Sequence, residues 1–298
     1  MNYKNITVAG SGVLGYQIAF QAAFHNFNVT VYDINEDVLA NAKAKFSSMC
    51  AAFKRDLHAS EADLAVAFDN LAYSSNLKDA VKDADLLIEA VPENPAIKID
   101  FYKNLAEVAV KKTVFATNSS TLLPSQFAEF TGRPSQFLAL HFANDIWKNN
   151  TAEIMGHSGT NPTIFNDVVA FAKAIGMLAL PLQKEQPGYI LNSLLVPLLT
   201  AATTLLVREV ADPQTIDKTW MKATGAPMGP FAILDIVGIN TVYNINKMGS
   251  EKSKDPFKIK MTAYIKEHFV DTNKLGVSTG EGFYTYPNPA YKEDDFLS

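Results

Sequence analysis

Six residues near the N-terminus, Gly10-Ser11-Gly12-Val13-Leu14-Gly15, constrain the fold of this chain more than any other feature. The G-x-G-x-x-G spacing carries information only in context: it must follow a strand and open a helix. Here Ile6-Thr7-Val8-Ala9 precedes it, a short β-branched run that reads as a strand. Residues 15–27 follow, with apolar positions at Ile18, Ala19, Ala22 and Ala23, the spacing of one helical face. Val29-Thr30-Val31-Tyr32 reads as a second strand. Strand, helix and strand at this rhythm imply parallel pairing. In such a unit the first glycine makes the tight turn, the second admits a pyrophosphate to the backbone, and the third lets helix and strand pack closely. The helix N-terminus adds free N–H groups and a positive dipole end.

Asp33 ends the second strand, 23 residues past Gly10. A carboxylate there is placed to accept both hydroxyls of an adenosine ribose and would repel a 2′-phosphate. Ile34-Asn35 brings no arginine to receive one. The expected cofactor is therefore NAD, held by Gly10, Gly12, Val13, Leu14, Gly15 and Asp33. Residues 86–91, 113–117 and 137–140 read as further strands, and 151–155 as another short one. After Lys184-Glu185-Gln186-Pro187-Gly188 strand-like runs become scarce. Helical stretches are expected at 189–210, 212–224, 231–248 and 256–269. The chain reads as α/β: a Rossmann-type doubly wound, mostly parallel sheet over residues 1–184, then a second, all-helical domain over 185–298.

The 298 residues suffice for two ordinary domains. With 48% hydrophobic and 19% charged residues the chain reads as soluble and globular. Its net charge of -5 argues against a generally basic nucleic-acid binder. A single cysteine, Cys50, excludes an intramolecular disulfide, and the first residues lead into no secretory apolar stretch, so cytoplasm is the expected compartment. Residues 189–207 carry no charge and are long enough to cross a bilayer. They also include Asn192, Ser193, Pro197 and three threonines, and they lack a strong basic anchor. A helix covered by protein, at a domain or subunit interface, is expected instead of a membrane span.

Ligands in doubly wound sheets sit at the carboxyl ends of strands. Asn118 and Ser120 lie past the end of one predicted strand and His141 at the end of the next. Glu153 follows 12 residues after His141. No metal-ligand pattern accompanies them.

These residues, taken with Glu89-Ala90-Val91-Pro92-Glu93-Asn94, Pro187-Gly188-Tyr189-Ile190-Leu191-Asn192, Pro227-Met228-Gly229-Pro230-Phe231 and Thr279-Gly280-Glu281-Gly282-Phe283-Tyr284, resemble the L-3-hydroxyacyl-CoA dehydrogenase family over nearly the whole chain. The resemblance implies His141 as general acid/base, Glu153 as the partner of its other ring nitrogen, and Ser120 with Asn192 as holders of the substrate oxygen. It places Asn118, Glu93 and Lys98 near the nicotinamide and its ribose. It implies hydride transfer between NAD(H) and C3 of a short 3-hydroxyacyl or 3-oxoacyl-CoA, and a homodimer built on the helical domain. Two departures bear on the substrate. Phe142-Ala143-Asn144-Asp145-Ile146-Trp147 replaces the family's Phe-Asn-Pro, and Asn192-Ser193 replaces its Asn-Arg. Trp147 and Lys148 then either reshape the pocket or simply pack at the surface. Lys43, Lys45, Lys54 and Arg55 form the basic group that could meet CoA phosphates. A non-CoA hydroxy substrate of the gulonate or carnitine kind, and a non-catalytic NAD-binding protein, are the alternatives. A catalytic-lysine dehydrogenase is disfavoured, since residues 189–207 hold no lysine.

Overall fold

The computed structural model describes residues 2–298, which divide into two compact units, the first ending at Leu191 and the second running Asn192–Ser298. The first holds β1 (Asn5–Ala9), α1 (Val13–Phe24), β2 (Asn28–Tyr32), α2 (Glu36–Leu57), α3 (Glu61–Asp69), β3 (Leu71–Ser74), α4 (Leu77–Val81) and β4 (Leu86–Glu89). It continues through α5 (Pro95–Val108), β5 (Val114–Thr117), β6 (Phe137–Phe142), β7 (Thr151–Met155), α6 (Pro162–Ala174) and β8 (Leu178–Pro181). The strands form one sheet in the order β3-β2-β1-β4-β5-β6-β7-β8. Every pairing is parallel except β6 with β7. The strand order reverses between β1 and β4, so their carboxyl ends border the crevice where such sheets take ligands.

The core follows from the sequence pattern. β4 and β5 are buried at every position, as strands covered on both faces must be. Phe20 of α1 meets Phe53 of α2 edge to face, with centroids 4.9 Å apart, and also stacks near Phe46. Several expectations change at the element ends. β4 stops at Glu89, where the expected strand ran to 91, because the chain turns there into α5, whose N-cap Asn94 accepts from Ala96 and Ile97. β3 and β8 were not anticipated: both are short edge strands of four residues with mixed burial, and β8 ends in proline, which an edge tolerates.

In the second unit α7 (Tyr189–Val207), whose first turn belongs to the first unit, is followed by α8 (Pro213–Thr224), α9 (Pro230–Val237), α10 (Ile239–Ser253) and α11 (Pro256–Ile265). The single helix expected over 231–248 is two helices. Gly238 takes φ +91, a left-handed conformation that ends α9. The helix expected to reach 269 closes at Ile265 and widens into a π turn over Lys266–Val270. The most apolar window of α7 is only 22% buried, and Leu194 is 70% exposed, so this chain alone does not cover the helix.

Two buried carboxylates organise this unit. Asp217 accepts from the Phe231 and Ala232 amides and from the Tyr284 hydroxyl. Asp235 accepts from the Phe283 and Tyr284 amides and from Tyr286. Burial pushes both carboxyls above the usual aspartate range, against the pull of these donors. The approach of the 283–284 backbone to Asp235 leaves no room at Gly282: a Cβ there would lie 2.1 Å from the Asp235 Oδ1. Gly282→Ala should therefore destabilise the protein by about 2–4 kcal/mol, seen as a lower midpoint of thermal unfolding. An unchanged midpoint would show that the C-terminal segment is not clamped on Asp235.

Candidate active site

The crevice beside β1 and β4 is built by the glycine turn. Gly10 has φ +94, and a Cβ on it would meet the Ala90 carbonyl oxygen at 2.5 Å. A Cβ on Gly15 would overlap the Gly10 carbonyl oxygen. These two glycines are demanded by the fold itself. Gly12 is different: it has ordinary φ (-65), stands at the N-cap of α1, and a Cβ on it would meet nothing within 4 Å. Its missing side chain leaves open the space directly before the helix N-terminus, which is what a pyrophosphate needs. The adjoining cleft has a volume of about 820 Å³ and is lined by Gly10, Gly12, Tyr32, Asp33, Val91 and Phe101 among others. The residues present fit NAD. Val13 is 64% exposed at the start of α1, and Leu14 is half-buried.

Asp33 lies where expected but is not idle. Its Oδ2 accepts from the Ser11 amide (2.7 Å) and hydroxyl (2.6 Å), and its Oδ1 from the Ile34 amide. Ser11 thus holds the carboxylate against the glycine turn, and only its remaining lone pairs face the cleft.

Beyond β4 and β5 lies a buried charge network. Glu89 is fully buried and accepts from Lys98 Nζ (2.6 Å), Tyr102 Oη (2.8 Å), Thr117 Oγ1 (2.8 Å) and the Val91 amide. Lys98 is 1% exposed and also pairs with Glu93 at 3.3 Å. Lys98, which the resemblance places near the nicotinamide and its ribose, pairs with two carboxylates. Glu93 in turn accepts from Ser119 Oγ (2.5 Å) and from the Ser120 and Thr121 amides. Burial pushes the Glu93 carboxyl up, but Ser119 and Lys98 outweigh it and hold it below its ordinary range. The result fixes the loop that carries Ser120, whose Oγ makes no hydrogen bond among the described residues. Asn118 is fixed too: its amide donates to the Glu89 carbonyl, and its Oδ1 accepts from the Phe142 amide beside His141. Glu89 and Tyr102 were not singled out from sequence, although a carboxylate inside the apolar run Leu86-Leu87-Ile88 was a signal.

His141 and Glu153 stand directly opposite each other on the antiparallel strands β6 and β7, so their side chains share one face. The Nδ1 of His141 lies 3.0 Å from Glu153 Oε2, and both residues are buried. A carboxylate only accepts, so Nδ1 carries the proton, and Nε2 makes no hydrogen bond with the described protein atoms. Glu153 Oε1 accepts from the Ile190 and Leu191 amides, in the first turn of α7. Burial pushes the Glu153 carboxyl up, yet the bonds from His141 and these two amides hold it below its ordinary range. Tyr189, which sequence reading left without a role, stacks on His141 with ring centroids 4.6 Å apart.

Asn192 opens the second unit and there borders an apolar cavity of about 120 Å³ with Leu195, Leu199 and Met261. Trp147 packs away from the strand ends: its ring lies against Phe53, and its N–H donates to Asp56. Gln17 of α1 holds the same loop by accepting from the Asp145 amide. The suspected phosphate contacts are all engaged within the protein. Lys54 pairs with Glu61, Arg55 with Asp56, and Lys43 and Lys45 lie over the rings of Tyr73 and Tyr16. These surface pairs are weak, and a strong anion could still recruit their cations.

Gly12→Ala separates the fold from the ligand. It should cost under about 1 kcal/mol of stability while NADH affinity falls by tenfold or more, read by fluorescence titration beside thermal unfolding. Unchanged affinity would mean that the space before α1 does not take the pyrophosphate.

Comparison with known proteins agrees with this geometry. Residues 5–186 match the model of the 3-hydroxyacyl-CoA dehydrogenase NAD binding domain, and residues 188–286 match that of the family's C-terminal domain. The chain is 33% identical over 289 residues to the mitochondrial hydroxyacyl-coenzyme A dehydrogenase of Homo sapiens, covering 95% of this chain and 91% of that protein. It is 29% identical over 286 residues to a probable 3-hydroxybutyryl-CoA dehydrogenase of Bacillus subtilis, covering 96% and 98%. Among solved structures, a diketoreductase described in terms of dual catalysis of dicarbonyl compounds is 54% identical, with a TM-score of 0.92 and coverage of 96% and 100%. The (S)-3-hydroxybutyryl-CoA dehydrogenase of Ralstonia eutropha is 26% identical, with a TM-score of 0.83 and coverage of 96% and 100%. The chain belongs to the 3-hydroxyacyl-CoA dehydrogenase family and uses NAD as its cofactor.

Proposed function

We propose that this protein interconverts a 3-hydroxyacyl and a 3-oxoacyl group, exchanging hydride at C3 with NAD(H). The observation that carries the reading is the buried His141–Glu153 pair, which commits Nδ1 and leaves Nε2 unbonded. Bound NAD supplies the hydride acceptor, or NADH the donor. His141 takes the proton of the 3-hydroxyl in oxidation and returns it to the oxygen in reduction. An imidazole suits this, since its ordinary pKa is near neutral, about 6.5. Glu153 keeps the reactive tautomer and stabilises the imidazolium that forms. Ser120 is assigned to the substrate oxygen, where donors count most as charge develops.

The family and the human relative support a CoA thioester as substrate, and the Bacillus subtilis relative a short-chain one. A second reading, a dicarbonyl compound without CoA, is favoured by the 54% identical diketoreductase and by the internal pairing of Lys54 and Arg55. NADH consumption with acetoacetyl-CoA, beside a free dicarbonyl compound, gulonate and carnitine, decides between them. The first reading predicts a higher kcat/KM on acetoacetyl-CoA, and turnover of the free dicarbonyl compound alone would reject it. His141→Gln should cost about 10²–10⁴-fold in kcat with NADH binding retained; an unchanged rate would reject the mechanism on every substrate.

The same proposal includes a homodimer. α7, α9 and α10 leave Leu194, Ile236, Ile245 and Met248 exposed by 70%, 52%, 54% and 72%, an apolar surface that a second copy would cover. Light scattering of the intact protein should give twice the chain mass, and Leu194→Glu should shift it toward the monomer. A wild-type monomer at micromolar concentration would exclude this assembly.

A further inference from the structure

Tyr189 lies against His141 and has no part in the hydride exchange proposed above. Its ring is fully buried and lies nearly parallel to the imidazole of His141, at 4.6 Å and 21°. Its hydroxyl donates to the Ser119 carbonyl at 2.8 Å, one residue before Ser120. Its backbone has φ +55, a left-handed conformation that bulky side chains rarely adopt. The preceding residue, Gly188, has φ +78 and meets no such objection. A large aromatic residue held in strained backbone persists only where its surroundings over-determine it, and such residues gather at functional sites.

We propose that Tyr189 is a positioning residue for the acid/base step: its ring face fixes the plane of His141 and favours the imidazolium, while its hydroxyl ties that ring to the segment holding Ser120. The physical basis is the negative face of the aromatic ring, which attracts a cation lying over it. A flat cation at this spacing is stabilised relative to the neutral ring. Glu153 of β7 faces Nδ1, Tyr189 covers one ring face, and the β5 end contributes the neutral Asn118, Ser119 and Ser120. From the β4 and α5 side the charged groups are Glu89, Glu93 and Lys98, which neutralise one another in part. Burial, and then Glu93, Glu153 and Glu89, push the Tyr189 phenol far above its ordinary range, so it stays neutral and keeps its role as a donor. A phenylalanine could supply the stack, but only tyrosine supplies the tie to Ser119.

The inference rests on His141 as the proton carrier, and the test is chosen to separate the two. Turnover and NADH affinity are measured against pH for the intact wild-type enzyme, Tyr189→Phe and Tyr189→Leu, with the carbonyl substrate that turns over best. Reduction needs a proton donor at the carbonyl oxygen, so activity falls as pH rises. Tyr189→Leu should move that fall to lower pH by roughly half a unit to one unit with NADH affinity unchanged. Tyr189→Phe should keep the wild-type limb and lose a few-fold in kcat through the loosened Ser120 segment. If the leucine variant does not fold, a series of ring-fluorinated phenylalanines at 189 keeps the shape while weakening the ring face; the limb should then move down with each added fluorine. An unmoved limb in the leucine variant, no trend in the fluorinated series, or an equal shift in Tyr189→Phe and Tyr189→Leu would overturn the proposal. A fully active His141→Gln enzyme would remove the underlying mechanism as well, whereas an inactive one with an unmoved limb would remove the Tyr189 role alone.

Discussion

One carboxylate ties the catalytic arrangement together. Glu153 offers one oxygen to the ring nitrogen of His141 and the other to two amides in the first turn of α7. A buried charge of this kind is tolerated only if its lone pairs are met, because desolvation alone costs several kcal/mol. Here an imidazole and a helix N-terminus meet them together. The same contacts that stabilise the ion therefore fix the histidine tautomer and anchor the chain as it leaves the sheet. Removing Glu153 would disturb His141 and the entry of α7 at once.

The glycine turn shows how demands of fold and of ligand can be separated within one motif. Gly10 and Gly15 are excluded from bearing a side chain by neighbouring carbonyls, whereas Gly12 borders open space. Only the last is unexplained by packing, and it is the one that a bound pyrophosphate would explain. The charge network of Glu89, Lys98 and Glu93 does comparable work on the other side of the crevice. It spends buried charges on holding the loop of Ser120 still, which is what electrostatic preorganisation requires.

Much of this was legible from the chain alone. The strand–glycine turn–helix rhythm named the fold, His141 could be placed at a strand end, and Glu153 within a further short strand. The elements that escaped were those with weak local signals. β3 and β8 are short, half-exposed edge strands whose composition does not differ from a loop. The break at Gly238 lay inside an otherwise helical pattern, where an isolated glycine is often tolerated. The pairing of Lys98 with two carboxylates also escaped, because sequence shows a cation and not its partners.

Period and residue type thus determined the sheet, the phosphate turn and the NAD preference, because each is written in short-range spacing, while the role of His141 came from the family resemblance. Which residues stand across from them was decided only by tertiary structure. The direct opposition of His141 and Glu153 depends on the register of an antiparallel pair. The stacking of Tyr189 joins residues 48 positions apart, through a backbone conformation that no tyrosine would choose by itself. Local preference cannot encode such contacts: they form when burial of the surrounding core compensates the strain of bringing them together.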